Sequence, residues 1–114
     1  MSLTLYIDTS ESAATRIVLK DGDAVIATRT AEMKRAQTAL PLIERILKEE
    51  GKELSQINAI EAHTGPGSFT GLRVGLAIAQ MLSVLLNIPL NGKPPGSAVS
   101  PRYDDGGKFD TMDK

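Results

Sequence analysis

Residues Gly65-Pro66-Gly67-Ser68-Phe69-Thr70-Gly71-Leu72-Arg73 hold the chain's densest chemical potential. Glycines and a proline make a tight turn that opens onto a helix, and Ser68 can accept a bond from the free N–H groups of its first turn. Such a turn can cradle an anion on exposed N–H groups at the positive end of the helix dipole. It can equally let a helix start hard against a sheet. The spacing fits neither GxGxxG nor GxxxxGK[ST], the two common phosphate-loop patterns, so geometry leaves both readings open.

The other candidates have bland readings beside the sharp ones. Asp8, at the end of an N-terminal strand, can cap the following turn through nearby N–H groups. His63 is the chain's sole histidine, and without HExxH, cysteine or a second histidine no zinc ligand set exists. Ser68 and Thr70 have no companion base to make a nucleophile. Arg73 is isolated on an apolar helix and either pairs with Glu61 or Asp8 or reaches an interface; the ion pair is the favoured expectation, because a buried arginine needs a carboxylate. Glu49-Glu50, Glu53 and Asp104-Asp105 read as solvated acids.

These residues need elements to position them. Leu3–Ile7 reads as a buried strand. Ala14–Lys20 alternates, with Thr15, Ile17 and Leu19 on one face and Arg16, Val18 and Lys20 on the other. Asp21-Gly22 signals a hairpin into Ala24–Thr30. A helix follows, with Thr38 as N-cap, Pro41 at the third helical position, where its missing N–H costs nothing, and Gly51 as the stop. Ala39, Leu42, Ile43, Ile46 and Leu47 share its apolar face; Glu44/Lys48 and Arg45/Glu49 pair on the other. Ile57–His63 reads as a fourth strand. The second helix runs to about Leu86, with Asn87 as a left-handed cap and Pro89 preventing continuation. Arg73 is its only formal charge, so it is apolar nearly all round and must be covered on most sides. A further strand is expected near Ile88–Leu90.

With 114 residues and 41% hydrophobic content, one domain with a modest core is the ceiling. Thirteen basic against fourteen acidic residues give a net charge of −1, and Lys34-Arg35 is the longest cationic run. A protein that grips nucleic acid unaided concentrates basic charge, so strong direct binding of nucleic acid is not expected. The absence of cysteine excludes disulfides and thiolate metal sites and fits a reducing compartment. No secretory leader is visible ahead of the first strand. The apolar run Phe69–Leu86 barely reaches the roughly 20 residues a bilayer needs and contains Arg73, Gln80, Ser83 and glycines, so a buried helix explains it better.

The loop 65–73, followed by Val74-Gly75-Leu76-Ala77 and Gln80, resembles the GPGSFTGLRxGxxxAxGL signature of the TsaB (YeaZ) family. Asp8-Thr9-Ser10 straight after a first strand resembles that family's opening, and the resemblance spans residues 3 to about 92. It implies an α/β fold: a single actin-like (ASKHA, ribonuclease H-like) lobe over residues 1–90, a mixed sheet in β-β-β-α-β-α order flanked by helices. Residues 91–114 form a polar, Gly/Pro-rich irregular tail, docked through Val99, Tyr103 or Phe109. The family carries a second lobe after the point near Leu90, where only about two dozen residues remain. The expectation is therefore an abbreviated member or a first-lobe fragment.

The implied role is a non-catalytic dimerisation and scaffold subunit. It would associate with TsaD, with TsaE as a further partner, to support N6-threonylcarbamoyladenosine formation at the tRNA adenosine beside the anticodon. The resemblance further implies a homodimer in isolation, only indirect contact with tRNA, no membrane and a cytoplasmic location. It implies no cofactor for this chain, with ATP and metal in the partner subunits. Asp8, Thr9 and Ser10 would then be a vestigial phosphate and metal site, and Gly65, Pro66, Gly67 and Ser68 its neighbouring loop. The interface is expected at Gly71, Leu72, Gly75 and Ala79 of the second helix with Leu42 and Ile46 of the first, Gly71, Gly75 and Ala79 forming a smooth strip for close approach. Two alternatives stay open: a nucleotide-binding ATPase or kinase-like lobe using Asp8, and a glycoprotease-like peptidase, for which no nucleophile–base or metal motif speaks.

Overall fold

A computed structural model describes residues 2–9, 14–32, 39–65, 69–97 and 99. The elements follow in the order β1 (Leu3–Asp8), β2 (Ala14–Asp21), β3 (Ala24–Glu32), α1 (Ala39–Glu49), a short 3-10 turn (Leu54–Gln56), β4 (Ile57–Ala62) and α2 (Phe69–Leu86). The strands form one sheet in the order β3-β2-β1-β4. β1, β2 and β3 pair antiparallel, while β4 lies parallel to β1. The parallel pair needs a crossover, and α1 supplies it.

Local sequence explains most of these boundaries. Gly22 has φ +60° and starts the two-residue turn between β2 and β3. Gly51 sits at φ +67°, and the Lys52 N–H reaches back to the Leu47 carbonyl at 2.8 Å while the Gly51 N–H reaches Lys48. That is the six-to-one, five-to-two pairing that satisfies the last carbonyls of a helix. α2 ends in the same way on a non-glycine, since Asn87 takes φ +56° and the Ile88 N–H bonds the Ser83 carbonyl at 3.0 Å. The Ser83 side chain then donates to the Ile88 carbonyl at 2.6 Å, so this buried hydroxyl fixes how the chain leaves the helix. Thr38 and its proposed capping role lie outside the described residues.

Both helices cover one face of the sheet. Alternation puts Leu3, Leu5 and Ile7 of β1, Ile17 and Leu19 of β2 and Ile60 of β4 on that side, all essentially inaccessible. They meet Leu42, Ile43, Ile46 and Leu47 of α1 and Leu76, Ala79 and Leu82 of α2 in one apolar cluster. The other face carries Tyr6, Asp8, Arg16, Lys20 and Glu61 at their alternate positions. After α2 the chain touches β4 at one parallel bridge, Ile60 to Leu90, where the sequence suggested a further strand. Val99 packs against the core, and its carbonyl accepts Gln80 Nε2 at 3.4 Å. Tyr103 and Phe109 lie outside the described residues.

Candidate functional site

β1 delivers Asp8 and Thr9 side by side in sequence but to opposite sides of the sheet. Asp8 points to the open face, 3.9 Å from the Arg16 guanidinium, and borders a recess of about 300 Å³ lined by Ala14, Arg16 and Thr30. Thr9 turns under α2 and is buried against Gly75. Neighbours on an extended strand must diverge in this way, so the two do not converge on one ligand. Ser10 lies outside the described residues. So do Pro66, Gly67 and Ser68; their neighbour Gly65 has φ +124°, a conformation only glycine adopts freely. Among the described residues no group of three His, Cys, Asp or Glu side chains could hold a metal ion.

The open face is organised around Tyr6. Arg16 and Lys20, four apart on β2, place their cations 5.9 and 5.6 Å from the Tyr6 ring centroid. Lys20 is tied to Glu61 of β4 at 2.9 Å. The phenol oxygen lies 3.4 Å from His63 Nδ1, and the His63 N–H extends the ladder to the Ile7 carbonyl at 2.9 Å. Burial, then the charge of Asp8, raises the Tyr6 pKa above its ordinary 10.0 against the opposing pull of Arg16 and Lys20. Opposite charges alternate across the face, so it offers no concentrated field of one sign.

Glu61 pairs with Lys20 and Asp8 lies 3.9 Å from Arg16, while Arg73 is exposed on α2 rather than buried. Glu49 and Glu50 are not merely solvated. Arg29 of β3 reaches Glu49 at 2.9 Å and Glu50 at 3.4 Å, and Arg45 adds the expected i,i+4 contact to Glu49 at 3.4 Å. These bonds lower the Glu49 pKa below its ordinary 4.5, the Arg29 hydrogen bond contributing most.

The helix surface is likewise different from the sequence expectation. Leu72, Ala79, Leu42 and Ile46 are buried in this chain's own core, and Gly75 is buried against Thr9. A Cβ at Gly75 would overlap the Thr9 hydroxyl and approach the Thr9 Cβ to 3.3 Å. The close approach that Gly75 permits is made by Thr9, the residue after β1, inside the lobe. Gly71 belongs to α2, but its surroundings lie outside the described residues. The apolar side chains that α2 leaves uncovered are Met81, Val84 and Leu85, at 46%, 59% and 70% exposure. Their i, i+3, i+4 spacing makes them one ridge. Beside it a recess of about 380 Å³ is bordered by Gln80, Ser83, Val84, Leu90, Gly96 and Ser97. Nothing in the sequence separated this ridge from the buried stripe, because both are apolar. Among the described residues no helix is long and apolar enough to cross a membrane.

Comparison with known proteins agrees with this architecture. Residues 23–92 match the family model of TsaD, tRNA N6-adenosine threonylcarbamoyltransferase. The chain is 36% identical over 88 residues to the tRNA threonylcarbamoyladenosine biosynthesis protein TsaB of Escherichia coli K12, covering 77% of this chain and 38% of that protein. It is 37% identical over 86 residues to TsaB of Haemophilus influenzae, covering 75% and 36%. YeaZ from Pseudomonas aeruginosa superposes with a TM-score of 0.71 at 32% identity, over 88% of this chain and 44% of that one. The chain thus spans less than half the length of each of these relatives. The nine-residue loop, the actin-like lobe and these matches together show that the chain belongs to the TsaB (YeaZ) family, within the reach of the TsaD family model.

Proposed function

We propose that this chain is a non-catalytic association lobe that supports N6-threonylcarbamoyladenosine formation on tRNA beside a TsaD protein. The observation that carries the reading is the uncovered ridge Met81, Val84 and Leu85 on a helix that buries Leu72, Leu76, Ala79 and Leu82 in the core. A contiguous apolar surface of this kind favours a protein partner. TsaD is the partner proposed, with TsaE as a further one and a second copy of this chain as the occupant when TsaD is absent. tRNA is reached through the partners, in the cytoplasm, because the open sheet face alternates charge and lacks the basic field that phosphate backbones attract. The divergence of Asp8 and Thr9 supports a lobe without its own nucleotide chemistry.

Val84→Glu and Leu85→Glu put charge on exposed positions and leave the core intact. Light scattering and capture of TsaD should both report lost association while the thermal midpoint holds. Variants that fold and still bind TsaD would overturn the reading. Calorimetry with ATP checks the enzymatic alternative: micromolar binding abolished by Asp8→Ala would favour it.

A further inference from the structure

The segment after α2 closes the outer edge of β4 with a side chain rather than with a strand. The Pro89 carbonyl accepts the Ile60 N–H at 2.9 Å, and the Asn91 N–H donates to the Ile60 carbonyl at 2.9 Å. Beyond that point the Asn91 amide stands in for a peptide group. Its Oδ1 accepts the Ala62 N–H at 2.8 Å, and its Nδ2 donates to the Ala62 carbonyl at 3.1 Å. Asn91 and Gly92 both have positive φ, +51° and +78°, so the main chain turns away where the side chain takes over the ladder. Of the chain's three asparagines, Asn58 precedes alanine and Asn87 precedes isoleucine; Asn91 alone precedes glycine. Gly92 is exposed and carries no side chain to crowd its main-chain nitrogen.

We infer that Asn91-Gly92 is a self-modification site whose reaction is gated by the Ala62 peptide groups. The Gly92 nitrogen attacks Asn91 Cγ, forming a C–N bond and closing a succinimide. The Cγ–Nδ2 bond breaks, and Nδ2 leaves as ammonia with its two hydrogens and, through solvent, the Gly92 amide proton. One water then opens the ring at either carbonyl, giving aspartate or isoaspartate at position 91. No electrons are exchanged with any other group. In the native fold two bonds to Ala62 hold the Asn91 amide, and both oppose any rotation of Cγ toward the Gly92 nitrogen. The product cannot restore the pair, because a carboxylate has no N–H for the Ala62 carbonyl and sets a negative oxygen against it. Isoaspartate also lengthens the main chain by a methylene. The conversion is therefore a one-way latch that leaves the β4 edge open at Ala62, a backbone position free to pair with another strand.

The test incubates the full chain at mildly alkaline pH in buffer and in urea and follows each asparagine by peptide mass spectrometry and isoaspartate labelling. Conversion is expected at Asn91 and not at Asn58 or Asn87. It should run roughly thirtyfold faster in urea, the factor given by two hydrogen bonds of ordinary net strength. Equal rates in the two solvents would overturn the gate, and no conversion in either would overturn the site. Asn91→Asp reproduces one product and should lower the thermal midpoint by about 4–8 °C, the shift of one such bond in a domain of this size. An unchanged midpoint would overturn the latch.

Discussion

Gly75→Ala is the sharpest probe of how α2 meets the sheet, because two effects of known size oppose each other at one atom. Alanine in a helix interior is better than glycine by about 0.8–1.0 kcal/mol. The added methyl, however, would overlap the Thr9 hydroxyl, with Thr9 Cβ and Cγ2 at 3.3 and 3.4 Å. Thr9 is only 2% exposed, so a rotated hydroxyl would have to find its room inside the packed interior. Overpacking typically costs about 1–3 kcal/mol. The expected net result is a loss of about 1 kcal/mol, or about 4–8 °C in the thermal midpoint of a domain this small. Thr9→Ala removes the hydroxyl and methyl, so in that background Gly75→Ala should recover most of the helix gain. Urea melts of the four proteins in this cycle should give a coupling energy of about 1–3 kcal/mol. If Gly75→Ala alone stabilises the chain and the two substitutions add, the internal contact does not exist. Gly75 would then again be available to a partner helix.

Other outcomes follow from single residues. Gly65→Ala should destabilise by more than about 1 kcal/mol in chemical melts, because φ +124° is strained for any side chain; an unchanged melt would contradict that backbone. The Glu49 carboxyl should titrate below 4.5 by NMR and move up in Arg29→Ala. Its folded-state pKa is depressed, so the stabilising contact is present above the ordinary value and is lost as pH falls through the depressed one. The Tyr6 phenol should ionise above 10.0, followed by phenolate absorbance. Its folded-state pKa is raised, so its contribution to stability is complete below 10.0 and disappears as pH rises through the shifted value.

The legible parts of this chain are those that a few neighbouring residues decide. Gly22, Gly51 and Asn87 occupy left-handed conformations where the sequence calls for a turn and two helix ends. Period-two burial puts Thr15, Ile17 and Leu19 together against the helices. Partners brought together by strand order were not legible. Lys20 and Glu61 are 41 residues apart and meet because β1 lies between β2 and β4, each in register with it. Arg29 finds Glu49 and Glu50 because the end of α1 returns over β3. In both cases opposite charges are plentiful, and nothing local chooses among them.

The orientation of α2 is the instructive failure. A helix with hydrophobic residues on every side gives no direction to its periodicity, and small residues at every fourth position can serve a partner or the helix's own sheet equally well. The structure resolves this through burial. Gly75 lies directly against the Thr9 side chain, and Ala79 is fully buried one turn on. Met81, Val84 and Leu85 stand on the exposed side of the helix, away from the buried Leu72, Leu76 and Leu82. On this all-apolar helix the glycine faces a side chain of its own lobe, that of Thr9. The face left for another molecule carries Met81, Val84 and Leu85, so association should respond to charge at Val84 and Leu85, and folding to volume at Gly75.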